Sequence, residues 1–119
     1  MKSDPVQKFL RDHKYPAHLV KEGRAGLVRL WREFVEQVEK GYSLGLEDYR
    51  NDLDIRAIIE RAGAEDEEIL GLDARLKQML TANQKRVWES GKHDSFWDFG
   101  YPKNASGDLL EGLHEEGLV

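Results

Sequence analysis

The sequence predicts an all-α protein: a compact bundle of four to five helices, followed by a C-terminal aromatic-rich strap and a short final helix. Apolar residues recur at helical spacing, and capping residues and glycines occur where the repeats begin and end. No stretch alternates between apolar and polar residues for long enough to predict a sheet. The 119 residues are predicted to form a single helical domain, with a helical core at 1–91 and the strap and final helix at 92–119.

The chain is expected to begin with a short amphipathic helix. Asp4 suits the N-cap and Pro5 suits the first helical position. The helix is expected to end near His13, because the residue before Pro16 disfavours the α region. A further turn of helix is predicted after this proline, ending at Gly23.

The clearest predicted helix is Leu27–Val38. Its apolar residues fall at steps of three and one, which places them on one face of a helix with 3.6 residues per turn. They are Leu27, Leu30, Trp31, Phe34, Val35 and Val38. Lys40 and Gly41 follow, and a cation and a glycine are both typical of a helix C-terminus. This apolar stripe is the predicted centre of the core.

Two more helices are predicted, at 47–62 and at 64–89. The apolar residues of the first form two offset lines, which indicates either a wide buried face or a kink near the aspartates at 52–54. The second carries acidic residues in its first turn and apolar residues at helical spacing to about residue 89. Gly71 is a weak point, so the helix either runs through or breaks there, with Asp73 as a second cap.

The C-terminal part of the chain differs in character. Four aromatic residues crowd around Gly100, and such a cluster is expected to lie over the helices as an ordered strap or to be partly exposed as an interface. They are Phe96, Trp97, Phe99 and Tyr101. Asp108 and Glu111 have the spacing of a capping box and predict a last short helix.

Composition excludes several classes of protein. The chain contains no cysteine, which excludes disulfides, thiolate chemistry and cysteine-based zinc sites. No apolar run approaches the roughly 20 residues that span a bilayer, and no signal peptide is expected at the N-terminus. The sequence therefore predicts a soluble, cytoplasmic protein with no membrane partner.

Charge is distributed in alternating blocks. Counting Lys and Arg against Asp and Glu, residues 1–40 carry +3, 41–73 carry −7, 74–92 carry +4 and 93–119 carry −5. Such blocks favour elements that complement one another inside the fold, although an acidic surface that faces a partner is the alternative. Arg75, Lys85 and Lys92 do not share a helix face and the whole chain carries −5, so nucleic acid is not the predicted partner.

The most polar segment is 47–56. Asp48 and Asp52 are four residues apart, and Arg56 repeats that step, so the three share one helix face. Two carboxylates at this spacing could hold a hard cation or share a proton. The segment lacks the alternating acids and central glycine of a calcium loop, and a salt-bridged helix face is the simpler interpretation.

The four histidines form no helical pair that could begin a metal site, so no metal ion or cofactor is predicted. They are His13, His18, His93 and His114. His93 beside Asp94 is the candidate for a general base, because a carboxylate can orient and polarise an imidazole. Asp48, Asp52, His93 and Asp94 are therefore the weak catalytic candidates.

The sequence contains no catalytic or phosphate-binding motif. The predicted function is a non-enzymatic small cytoplasmic protein that acts through protein–protein interaction or self-association. The candidate interaction residues are Tyr49, Arg56, Phe96, Trp97 and Tyr101. The alternative is a small enzyme or divalent-metal-binding protein that uses Asp48 and Asp52 with His93. A pocket shared by residues 48–56 and 93–101 would favour this alternative.

Overall fold

The computed structural model describes residues 4–89 and 95–119, and within them every side chain except those of 82–84. These ranges are mostly helical and contain a small antiparallel sheet of two strands. The helices are α1 (Pro5–Asp12), α2 (Ala17–Glu22), α3 (Arg24–Lys40), α4 (Leu46–Arg61), α5 (Glu67–Met79) and α6 (Gly107–Glu115). The strands are β1 (Leu80–Arg86) and β2 (Phe99–Pro102), and a 3₁₀ turn at Phe96–Asp98 precedes β2. None of the helices described is long and apolar enough to cross a membrane.

The start of the chain confirms the predicted caps. The Asp4 side chain accepts a hydrogen bond from the Val6 backbone N–H at 2.8 Å, and Pro5 occupies the first helical position. Helix α2 begins directly after Pro16 and ends at Gly23, whose φ of 60° favours glycine.

Helix α3 confirms the predicted apolar stripe. Five of the six stripe residues are buried, and the sixth, Leu30, is half-buried. Trp31 and Phe34 stack with ring centroids 5.1 Å apart, and Gly41 ends the helix with a φ of 101°. Helix α3 packs against both α4 and α5, so its stripe forms the centre of the core.

Helix α4 is continuous through the aspartates at 52–54. Its buried residues come from both predicted apolar lines, which favours the wide buried face over the kink. Helix α5 is also continuous through Gly71. Of the two alternatives at Gly71 the structure therefore shows the unbroken helix, with Asp73 buried inside it and not acting as a cap. The cap is Asp66, which accepts from the Ile69 N–H at 3.1 Å.

The prediction that this helix continues to about residue 89 is wrong, since α5 ends at Met79 and the chain enters β1. Residues 81–86 carry one apolar side chain, Ala82, so no amphipathic face holds them in a helix. Their backbone pairs instead with β2, with Leu80 opposite Pro102 and Thr81 opposite Tyr101. The register is irregular between Thr81 and Arg86.

The sheet corrects the predicted all-α class. The strap is part strand, with a buried Trp97 and three half-buried aromatic residues around it. Strand β2 has four residues, too few to show an alternating pattern, and its partner is far away in sequence. The predicted boundary near residue 91 lies outside the described residues.

The last helix, α6, begins after Ser106, and its N-terminus has no side-chain cap. The predicted capping box is therefore wrong: Asp108 lies in the first turn of the helix. Leu109 and Leu113 are buried, and a Cβ on Gly112 would lie 2.9 Å from the Leu46 Cβ. Glycine at this position lets α6 pack closely on the start of α4.

Replacing Gly100 with alanine is expected to destabilise the fold by about 1–3 kcal/mol. Gly100 has a φ of 81°, and a Cβ there would lie 2.5 Å from the Thr81 carbonyl oxygen in β1. Gly71→Ala is the matched control, because the added Cβ meets no atom of the described chain and the helical backbone favours alanine by about 1 kcal/mol. Urea unfolding of both variants tests this, and destabilisation of equal size would contradict it.

Candidate functional site

Arg50 and Asp54 of α4 bind groups from two other parts of the chain. Arg50 donates to the Val87 carbonyl oxygen at 3.0 Å and holds both oxygens of Glu116, at 2.9 and 2.7 Å. Asp54 accepts from Trp88 Nε1 at 2.6 Å. These contacts attach the segment after β1 and the end of α6 to the polar side of α4.

Arg56 and Asp73 form a buried ion pair between α4 and α5. Their exposed fractions are 1% and 7%. Arg56 Nε donates to Asp73 Oδ1 at 3.0 Å, and Nη2 donates to Oδ2 at 2.8 Å, which is a bidentate geometry. Trp31 Nε1 also donates to Asp73 Oδ1, at 3.0 Å, so helix α3 joins the same network.

Two further groups complete the surroundings of Arg56. Glu65 accepts a hydrogen bond from Nη2, and the Trp97 ring lies 4.5 Å from the guanidinium carbon. Burial lowers the pKa of Arg56, but hydrogen bonds to Asp73 and Glu65 outweigh it, and the pKa is raised overall. Arg56 is therefore a permanent buried cation, and its Nη1 makes no hydrogen bond to the described residues.

Asp52 lies at the other end of the polar segment. Its Oδ2 accepts a hydrogen bond from the Tyr42 hydroxyl at 2.5 Å, whereas Asp48 is exposed. Burial raises the pKa of Asp52, the Tyr42 hydrogen bond lowers it, and the charge of Asp48 raises it, for a net increase. Burial also raises the pKa of Tyr42 and of the fully buried Tyr49, so both phenols stay neutral.

Asp52→Asn is expected to leave the protein at least as stable at pH 7, with a gain of up to about 1 kcal/mol. Asparagine still accepts the Tyr42 hydrogen bond and removes a partly buried charge. Because the folded state raises the pKa of Asp52 above its ordinary value of 3.8, the aspartate gains stability relative to asparagine as the pH falls through the folded pKa. Thermal unfolding of both proteins from pH 7 to pH 4 tests this, and a clear loss of stability at pH 7 would contradict it.

Two of the four predicted catalytic residues lie within the part of the chain that the structure describes. Asp48 and Asp52 are close enough to influence one another, whereas His93 and Asp94 lie outside the described residues. Within 4–89 and 95–119, no three Asp, Glu or His side chains converge in a way that could hold a metal ion.

The predicted interaction residues lie mostly inside the protein. Tyr49, Arg56 and Trp97 are buried, and Phe96 and Tyr101 are half-buried. Segments 48–56 and 95–101 meet through the contact between the buried Arg56 and the buried Trp97 ring. Residues 93 and 94 of the predicted shared pocket lie outside the described residues.

Sequence reasoning missed Asp73, Glu65 and Trp31 as members of the Arg56 network. One signal was present: Asp73 falls on the apolar face of α5, between Leu72 and Leu76. A carboxylate at such a position needs a cationic or hydrogen-bonding partner. Asp98, which is fully buried and lies 3.5 Å from Arg86, was missed as well.

Ion pairs join the charge blocks of the sequence. Arg24 pairs with Asp66 and Arg32 pairs with Glu68, so two bridges link basic α3 to the acidic start of α5. Arg75 pairs with Glu39 at 2.5 Å further along the same helices. The Arg24 and Arg32 pairs join a basic block to an acidic one and favour the interpretation that the blocks complement one another inside the fold.

A shallow cleft of about 260 Å³ lies between the ends of α3 and α5 and the residues after β2. It is lined by Val38, Glu39, Gln78, Met79, Lys103 and Asn104. Asn104 donates to the Val38 carbonyl oxygen at 3.1 Å, and Arg75 binds Glu39. Two of its polar side chains are thus already bound within the protein.

Comparisons of the chain with protein-family models, curated proteins and solved structures found no match in any of the three.

Proposed function

We propose that this chain is a non-enzymatic cytoplasmic protein that acts through protein–protein contact, and that the outer face of α5 is its contact surface. This face consists of Glu67, Leu70, Gly71, Ala74, Lys77 and Gln78. All six residues are exposed. Glu67, Gly71, Ala74 and Gln78 lie opposite the buried side of the helix, and Leu70 and Lys77 flank them on one side.

The main support for this surface is the exposure of the Leu70 side chain. Its exposed fraction is 56%, above the 45% of Leu44 and the 40% of Val119, the other exposed large apolar residues of the described ranges. Leu44 lies in a loop and Val119 at the end of the chain, whereas Leu70 stands in a regular helix. Gly71 and Ala74 beside it carry little polar surface, so the centre of this face is suited to a dry contact.

The contacts of α4 support a non-enzymatic role. Asp52, Asp54 and Arg56, which include the residue types needed for acid–base chemistry, hydrogen-bond to Tyr42, Trp88 and Asp73. Their polar groups hold other segments in place.

Site-specific photo-crosslinking tests the proposal. A photoreactive residue at Ala74 is expected to give a discrete cross-linked product in native lysate, and Leu70→Asp is expected to abolish it. Leu44→Asp is the matched control, because it places the same charge on another exposed leucine, and it should leave the product unchanged. A product that survives Leu70→Asp, or no product at all, would contradict the proposal.

The second candidate is a divalent-cation site at Asp48 and Asp52, favoured by their spacing of four residues on one face of α4. Calorimetric titration with Mg²⁺, Mn²⁺ and Zn²⁺ tests it. Binding that Asp52→Asn removes would support this candidate, and the absence of heat would exclude it.

A further inference from the structure

We infer that the partner of the outer face of α5 is a second copy of this chain, which binds with the two α5 helices antiparallel. This inference rests on the proposed contact surface and adds the identity of the partner and its orientation.

The charges at the two ends of α5 are complementary in an antiparallel pair. Glu67 lies in the first turn of α5 and Lys77 in its last turn. When two copies of the helix run antiparallel, the acidic start of each lies beside the basic end of the other. The two helix dipoles are then also antiparallel, so opposite partial charges lie side by side. A parallel arrangement would place Glu67 against Glu67 and Lys77 against Lys77.

The spacing of the outer residues of α5 suits a two-fold axis. Glu67, Gly71, Ala74 and Gln78 follow one line along the helix, at steps of four, three and four. This line is symmetric about the midpoint between Gly71 and Ala74. A two-fold axis through that midpoint pairs Glu67 with Gln78 and Gly71 with Ala74, so the same surface patch is used on both copies.

Gly71 leaves space for a second helix to approach α5 closely. Glycine in the interior of a helix lowers its stability relative to alanine. A Cβ at this position would meet no atom of the described chain within 4 Å, so packing within those residues does not require a glycine. A second helix that approaches closely at this point would require one. Leu70 flanks the line and would be covered by the other copy.

The size of the contact sets the expected affinity. Helix α5 has 13 residues and is therefore about 20 Å long. Two such helices bury less than the roughly 1,200 Å² of a standard interface, so a weak, reversible dimer is expected, with a micromolar or weaker Kd.

Sedimentation of the purified full chain measures the association. The wild-type protein is expected to shift from monomer to dimer with increasing concentration, and Leu70→Lys should raise the Kd at least about tenfold. Gly71→Ala should raise the melting temperature of the monomer and yet weaken the dimer, a combination that a purely structural glycine would not produce. Leu44→Lys is the control and should leave the Kd unchanged.

Disulfide trapping then tests the orientation on a background that contains no cysteine. When Glu67→Cys and Gln78→Cys proteins are mixed under mild oxidation, the mixed 67–78 disulfide should form in preference to either homodimer. Preference for homodimers would overturn the antiparallel arrangement.

A monomer at every concentration would overturn the inference. If the product cross-linked through residue 74 then proves to be a different protein, the proposed function survives without self-association. If neither the dimer nor that product is found, both fail.

Discussion

Arg56→Ala is expected to lower the free energy of unfolding by about 3–5 kcal/mol, because it leaves the carboxylate of Asp73 buried without its cation. Asp73 keeps the Trp31 N–H as a donor, but a single neutral donor does not replace a bidentate guanidinium. Small proteins are stable by only about 5–15 kcal/mol, so this variant should be partly unfolded at moderate temperature. Chemical denaturation with circular dichroism measures the loss.

A double-mutant cycle distinguishes the ion pair from simple loss of packing. Asp73→Ala alone should cost less than Arg56→Ala, because Glu65 still accepts a hydrogen bond from Arg56 Nη2. The double variant Arg56→Ala with Asp73→Ala should lose clearly less than the sum of the single losses, since neither charge is left unpaired. Strictly additive losses would show that the two charges do not stabilise one another.

Trp31→Ala is expected to lower the free energy of unfolding by about 3–5 kcal/mol as well, through the cavity that it leaves. Trp31 is fully buried, stacks on Phe34 and is central to the apolar stripe of α3. The same substitution removes a hydrogen bond to Asp73, so it weakens the Arg56 network at the same time. Denaturant unfolding monitored by circular dichroism gives the loss.

Trp31→Phe separates these two contributions. It keeps much of the aromatic packing and removes the N–H donor, so a smaller loss of about 1–2 kcal/mol is expected. Trp88→Phe is the matched control, because Trp88 donates the corresponding bond to Asp54 at a half-buried position where water can replace it. A loss of stability in Trp88→Phe as large as that in Trp31→Phe would contradict the expectation that the buried hydrogen bond contributes more than the half-buried one.

The helices could be predicted because each carries a local signal. The spacing from Leu27 to Val38 identifies one buried face, and Asp4 with Pro5 identifies a helix start without any information from the rest of the chain. The polar run at 81–86 is a local signal for the end of α5, but the strand that follows could not be predicted in this way. That strand, β1, is stabilised by pairing with β2, and that pairing brings together residues that are distant in sequence.

The polar residues of α4 were predicted as a candidate site, and their partners were not. Helical spacing places Asp48, Asp52 and Arg56 on one face, but it contains no information about Asp73 or Tyr42 on other elements. The burial of Arg56 follows from the packing of α4, α5 and the 3₁₀ turn together. Local patterns therefore indicated which residues are polar and grouped, but not that they bind one another inside the protein.

The polar residues of α4 hold the fold together, and we propose that the outer face of α5 makes the external contacts. An amide NMR dilution series of the purified protein tests this division of roles. Concentration-dependent shifts are expected at Glu67, Leu70, Gly71, Ala74 and Gln78, with residues 48–56 unchanged. Shifts centred on 48–56, or a spectrum that does not change up to about millimolar concentration, would contradict it.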